Sequence, residues 1–193
     1  MRQFAAGGFR LWNLSREAKL VYTFFALFSL AGIGSSVLLY EDLVGGGTAG
    51  IRAYYAGEAP PASATTTAGG PEIALPDERP GAAAPPLVVQ ASRRKLLEVT
   101  HFHLFTVPVF LLIVTHLFML TGLGPRTKSA GIVGGWLAAA AHLAAPWVVR
   151  WGGGGWAWLH AASGAAFGIT GVALTVYPVW AMWMGRSEAR PTS

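Results

Sequence analysis

At 193 residues the chain is 53% hydrophobic and only 12% charged, with 8 Trp and a mean hydropathy of +0.45. It is too apolar for a soluble domain of this size and too polar between its apolar runs for a single span. The formal charge of +5 comes from Lys and Arg that flank those runs, where they act as topology signals, so no nucleic-acid partner is assigned. With no cysteine, disulfides, thiolate zinc sites, iron–sulfur clusters and covalent CxxCH haem attachment are excluded, and any metal or haem falls to His, Met, Glu or Asp.

A basic leader, residues 1–19 with Arg2, Arg10, Arg16 and Lys19, precedes an uncharged apolar run over 20–40. This reads as a membrane helix rather than a signal peptide, because the leader is long and no small-x-small cleavage site follows. Residues 41–95 form the large polar region. Its first part, GIRAYYAGE, predicts a short amphipathic helix at the interface with Tyr54 and Tyr55 at headgroup depth, and its Pro/Ala-rich middle predicts a flexible tether.

Residues 96–184 predict a three-helix transmembrane core, drawn as Leu96 to Leu123, Ala130 to Val149 and Trp156 to Met184. Each holds one proline (Pro108, Pro146, Pro178) that should kink it, and the short connections make neighbouring helices antiparallel. Residues 185–193 form a short tail. The fold class is therefore all-α, a polytopic membrane protein with four transmembrane helices in an antiparallel bundle and one long periplasmic loop. Eight Lys and Arg on the side of the termini against six on the other predict both termini in the cytoplasm of a bacterial inner membrane.

Packing signals lie in the last two spans. Gly131/Gly135 and Gly164/Gly168 have GxxxG spacing, and Ala157, Ala161 and Ala165 repeat at four, which predicts close approach of those helices. The Gly164/Gly168 face is expected against a neighbour, so that Gly168→Leu would lower the yield of folded protein. Trp147, Trp151, Trp156 and Trp158 bracket the RWGGGG turn as an interfacial belt.

Chemistry is sought in the ionisable groups inside the apolar runs, each of which costs roughly 2.5 kcal/mol or more unless something offsets it. They are Glu98, His101, His103, His116, His142 and His160. His101 and His103 lie within two turns of the outer end of their helix, His160 is near the same face, and His142 is slightly outward of centre. His101 or His103 can therefore meet His160, with His142 in the same layer, while His116 is ~22 Å deeper than His101 and ~60° round the wheel, an arrangement that resembles a helix supplying one ligand to each of two stacked haems. His101 and His103 are ~200° apart, so one of them faces the interior. Glu98 shares the face of His101 and can accept from its free ring nitrogen.

The bland readings stand beside these. A histidine near the boundary is often simply wet, and His142 among alanines reads equally as a buried structural hydrogen bond. A di-iron site is excluded, since the second Glu-x-x-His it requires is missing.

The motifs YYxG, at Tyr54 to Gly57, and LLExTHxHxF, from Leu96 to Phe105, resemble those of a group of four-helix bacterial inner-membrane proteins, themselves similar to small b-type membrane cytochromes. Together the residues and the resemblance point to a membrane electron-transfer subunit of a respiratory chain, not a stand-alone enzyme. In it haem b is held near the periplasmic face by His101 as axial ligand, His160 or His142 opposite, and Glu98 behind His101. A quinol, a periplasmic cytochrome, membrane lipid and a larger membrane complex are the partners this implies. Two other classes stay open: a non-redox structural or assembly subunit whose histidines cross-link helices, and a membrane metal or proton handling protein with Glu98, His101 and His103 as an outward cluster.

Overall fold

Two serines and one proline decide where three of the four long helices begin. The computed structural model describes residues 10–58 and 90–185. In it Ser15 accepts a hydrogen bond from the Ala18 amide at 3.3 Å and starts α1, Arg16–Val44. A short helix α2, Gly47–Ile51, runs into a wider π-type turn, Arg52–Ala56. Ser92 caps α3, Arg93–Met119, by accepting from the Lys95 amide at 3.1 Å. Pro125 stands in the first turn of α4, Pro125–Gly152, where its missing N–H has no helical partner to lose. A single 3-10 turn, Gly154–Trp156, leads into α5, Ala157–Met184.

Four of these helices are long and apolar enough to cross a membrane, as expected, and no strand occurs among the described residues. α1 and α4 are longer than their apolar runs because their first turns sit in the polar flanks. α1 therefore begins at Arg16 rather than 20, and α4 at Pro125 rather than 130. α3 ends earlier than drawn: Thr121 turns its hydroxyl back to the Phe118 carbonyl at 2.7 Å and closes the chain over residues 120–124. Each of α3, α4 and α5 continues through its proline. The Pro/Ala-rich tether, residues 59–89, and the ends 1–9 and 186–193 lie outside the described residues.

α3, α4 and α5 form the central unit, with α4 and α5 in the most extensive contact, and α1 lies against the outside of α5. Only Ala26 and Val44 of α1 are buried. Three apolar clusters stack along the bundle. Leu111, Val114 and Phe118 of α3 meet Ala139 of α4 and Leu174 of α5 in the middle. At one end Leu11, ahead of α1, is fully buried against Leu117 and Met182 and plugs the bundle, a burial that contributes about 1.5–3 kcal/mol. At the other end Ile51 and Tyr54–Ala56 pack on Val44, Val149 and Ala157. The segment 47–58 is thus a roof folded onto the helix ends, not a helix lying apart on the interface.

The small-residue signals divide. Gly131 faces the Phe118 ring and Gly135 faces Leu174 and Leu111, so α4 approaches both neighbours through glycines. Gly164 faces the His142 ring as predicted, but Gly168 has open space where a side chain would stand, and Ala161 and Ala165 are exposed. That half of the α5 stripe is turned outward, because the close partner of α5 is met four residues earlier, at the imidazole. Trp147 and Trp151 stack at 5.0 Å, and Trp147 donates to the Thr100 hydroxyl at 2.8 Å, tying α4 to α3 at the roofed end.

Candidate functional site

The roofed end holds the buried imidazole of His160 and the half-buried one of His142. His160 enters the bundle one turn after the start of α5 and is 3% exposed. Its ring lies face to face with His142 of α4, centroids 4.9 Å apart and planes 13° from parallel. Gly164, one turn beyond His160, leaves the space into which the His142 ring fits, 3.2 Å from where a Cβ would be. Phe167 stacks on the far side of His142 at 6.0 Å.

Two tyrosines complete the enclosure. Tyr40, from the last turns of α1, is tilted over His160 at 5.8 Å, and Tyr55 of the roof meets His160 edge-on at 5.1 Å. Burial, with the neighbouring Tyr40 and Tyr54 adding to it, pushes the Tyr55 phenol well above its ordinary range. Tyr55 therefore stays protonated through the physiological pH range, a neutral hydrogen-bonding group beside the imidazoles.

The roof is pinned on both sides. Glu58 accepts from the Gly154 amide at 2.8 Å, and a side chain at Gly154 would run into that carboxylate. From the returning chain, the Ala91 amide donates to the Tyr54 carbonyl at 2.8 Å and the Gln90 side chain to the Tyr55 carbonyl at 2.9 Å. Gly57, at φ +73°, makes the turn that directs Glu58 toward α5.

Within this enclosure the hydrogen-bond accounts do not close. His142 Nδ1 and both ring nitrogens of His160 are buried without a partner among the described residues. Each such group costs about 1–3 kcal/mol, and buried polar atoms left this way in a native fold call for something to meet them. A neutral imidazole offers one N–H and one lone pair, so the pair presents both a donor and ligand-type nitrogens to whatever enters.

Of the other predicted site residues, His103 alone is near enough to act electrostatically on His142. His101 is on the exposed face of α3 against Phe102 and Phe105, themselves 66% and 67% exposed. His103, also exposed, donates from Nδ1 to the Val99 carbonyl at 2.7 Å. Glu98 does not turn to His101; it accepts from the Arg94 guanidinium at 3.0 Å. His116 lies near the opposite end, lining a cleft with Lys128 and Ser129. No group of three or more His, Asp or Glu positioned for a metal occurs among the described residues. The layer drawn from depth does hold two histidines, but they are His142 and His160, with Tyr40, Tyr55, Glu58 and Gly154 as members that sequence reasoning missed.

A family model described as a transmembrane helical domain matches residues 45–189. The chain belongs to this transmembrane helical domain family. Comparison with curated proteins and with solved structures found no match. The matched region begins just after α1 and takes in the roof and the three central helices, so the domain as the family defines it contains His142, His160, Tyr55, Glu58 and Gly154. Peripheral α1 contributes Tyr40 from outside it.

Proposed function

We propose that this chain is a membrane protein that handles a transition-metal ion, with the stacked His142–His160 pair as the point of exchange at the roofed end of the bundle. The three buried ring nitrogens without partners carry the reading. Neutral imidazole is the usual nitrogen ligand of zinc, copper and nickel, and small ring rotations turn two adjacent parallel rings toward one ion. Structural zinc sites close with four protein ligands. Two leave positions for water or an incoming group, which suits an ion that arrives and departs.

The same geometry argues against one haem held by this pair. Axial histidines point nitrogens at each other from opposite sides of a porphyrin, whereas these rings lie face to face with no such gap. Haem-based electron transfer is retained as a second reading on a different observation: His101 and His103 are both exposed, on opposite sides of α3, and His101 is open to a group shared with a partner chain.

A titration of the purified full chain with zinc separates the readings. The expected result is one ion per chain, weakened about tenfold or more in His142→Ala and unchanged in His101→Ala. Equal binding by wild type and His142→Ala would remove the metal reading, and a Soret band in the same preparation would establish the haem one.

We further place the protein in a bacterial inner membrane with both termini cytoplasmic, on the Lys/Arg bias. The chain has no native cysteine, so Thr65→Cys reports cleanly. Labelling by a membrane-impermeant maleimide in spheroplasts is expected, and labelling only after lysis would invert the topology.

A further inference from the structure

The two ends of the bundle differ in charge. Among the described residues, the end plugged by Leu11 carries Arg10, Arg16, Lys19, Arg126 and Lys128 against a single carboxylate, Glu17. The roofed end sets Arg52, Arg93, Arg94, Lys95 and Arg150 against Glu41, Asp42, Glu58 and Glu98. A salt bridge, Arg94 to Glu98, is also at the roofed end.

Cations at the plugged end rest on neutral groups instead. The Arg10 guanidinium donates to the Thr121 carbonyl at 3.3 Å and lies 5.5 Å over the Trp12 ring, and the Lys19 ammonium is 5.6 Å from the Trp183 ring. Arg10 and Lys128 are near enough to repel one another. Between the end of α3 and the first turns of α4 opens a cleft of about 350 Å³. His116, Met119 and Leu120 line it from the end of α3, and Pro125, Lys128, Ser129 and Ile132 from α4. Met119 is exposed, as are Val133 and Leu137 further along α4, so the cleft opens onto the lipid-facing surface.

We propose that this cleft binds one anionic phospholipid, its phosphate held by Lys128 and Ser129 and the start of an acyl chain laid against Ile132, one turn deeper on α4. A cation and a hydroxyl with an apolar floor at Ile132 match the phosphate and chain of one molecule, and the excess positive charge explains a preference for an anionic lipid over a zwitterionic one. The volume takes the phosphate and the upper part of one chain, the remainder lying in the bilayer.

Native mass spectrometry of the full chain, released from mixed micelles with equal phosphatidylglycerol and phosphatidylcholine, tests this. One retained phosphatidylglycerol is expected in preference to phosphatidylcholine. Lys128→Gln is expected to reduce that retention about fivefold, Ile132→Trp to reduce it by filling the floor, and Lys95→Gln, at the other end, to leave it intact. Equal retention of the two lipids by the wild type overturns the proposal without recourse to any variant. So does an unchanged preference in Lys128→Gln, or capture of inorganic phosphate with no preference between the lipids.

Discussion

Replacing Gly135 by leucine is expected to remove most of the folded protein, whereas Gly168→Leu is expected to be recovered at the wild-type level. Gly135 is buried where α4 meets both other central helices: a Cβ there would stand 2.8 Å from Leu174 and 3.9 Å from Leu111. Leucine would drive four heavy atoms into the middle cluster, forcing α4 off α5 along their main contact. Overpacking of that kind costs about 1–3 kcal/mol in soluble cores and more where neighbours cannot yield. Membrane helices gain little from hydrophobic burial against each other, so loss of close packing removes most of what joins them. At Gly168 nothing lies within 4 Å. A leucine there meets lipid and raises helix propensity by about 1 kcal/mol. Size-exclusion profiles of the two variants in detergent, each against wild type, give the comparison. Equal recovery of both would show that the α4–α5 contact does not hold the bundle together.

Sequence composition was sufficient for the four spans because membrane crossing is a matter of length and apolarity, both of which are visible residue by residue. Helix ends were less visible. Caps such as Ser15 and Ser92 lie among charged residues outside the apolar runs. Depth was readable in part: counting 1.5 Å per residue from the outer ends puts His101 or His103 in a layer with His160 and His142, and the structure stacks the last two.

Rotation about each helix axis was not readable. A membrane helix is apolar on its lipid side as well as its packed side, so periodicity does not say which face turns inward. His101 drew attention because Glu98 sits one turn away, yet the structure turns that face outward and gives Glu98 to Arg94. Small residues carried the missing information unevenly. Gly164 marks the groove that receives His142, and Gly135 the approach to Leu174, but Gly168, with the same spacing, marks nothing. The roof escaped detection for a related reason. Its tyrosines suit a headgroup layer by composition, and only the hydrogen bonds with Ala91, Gln90 and Gly154 reveal that it folds back over the helix ends.

His160→Leu is expected to fold at least as stably as the metal-free wild type and to lose the response to metal. Leucine fills a similar volume at a position that is 3% exposed and removes two ring nitrogens that have no partner among the described residues. Relief of those nitrogens, about 1–3 kcal/mol each, offsets the stacking against Tyr40, Tyr55 and His142 that leucine cannot reproduce, at about 0.5–1.5 kcal/mol per ring pair. An imidazole kept only to cross-link helices would leave the variant and the wild type alike in their indifference to zinc. An imidazole kept as a ligand predicts a different pattern. Zinc at about one hundred times its dissociation constant stabilises the wild type by ~2.7 kcal/mol, a rise in melting temperature of about 5–10 °C for a chain of this size, while the leucine variant stays where it was. Thermal unfolding of both proteins in detergent, with zinc and with chelator, reads the difference directly. A zinc-induced rise of equal size in both would place the ion away from His160, and no rise in either would leave the pair as a structural contact between α4 and α5.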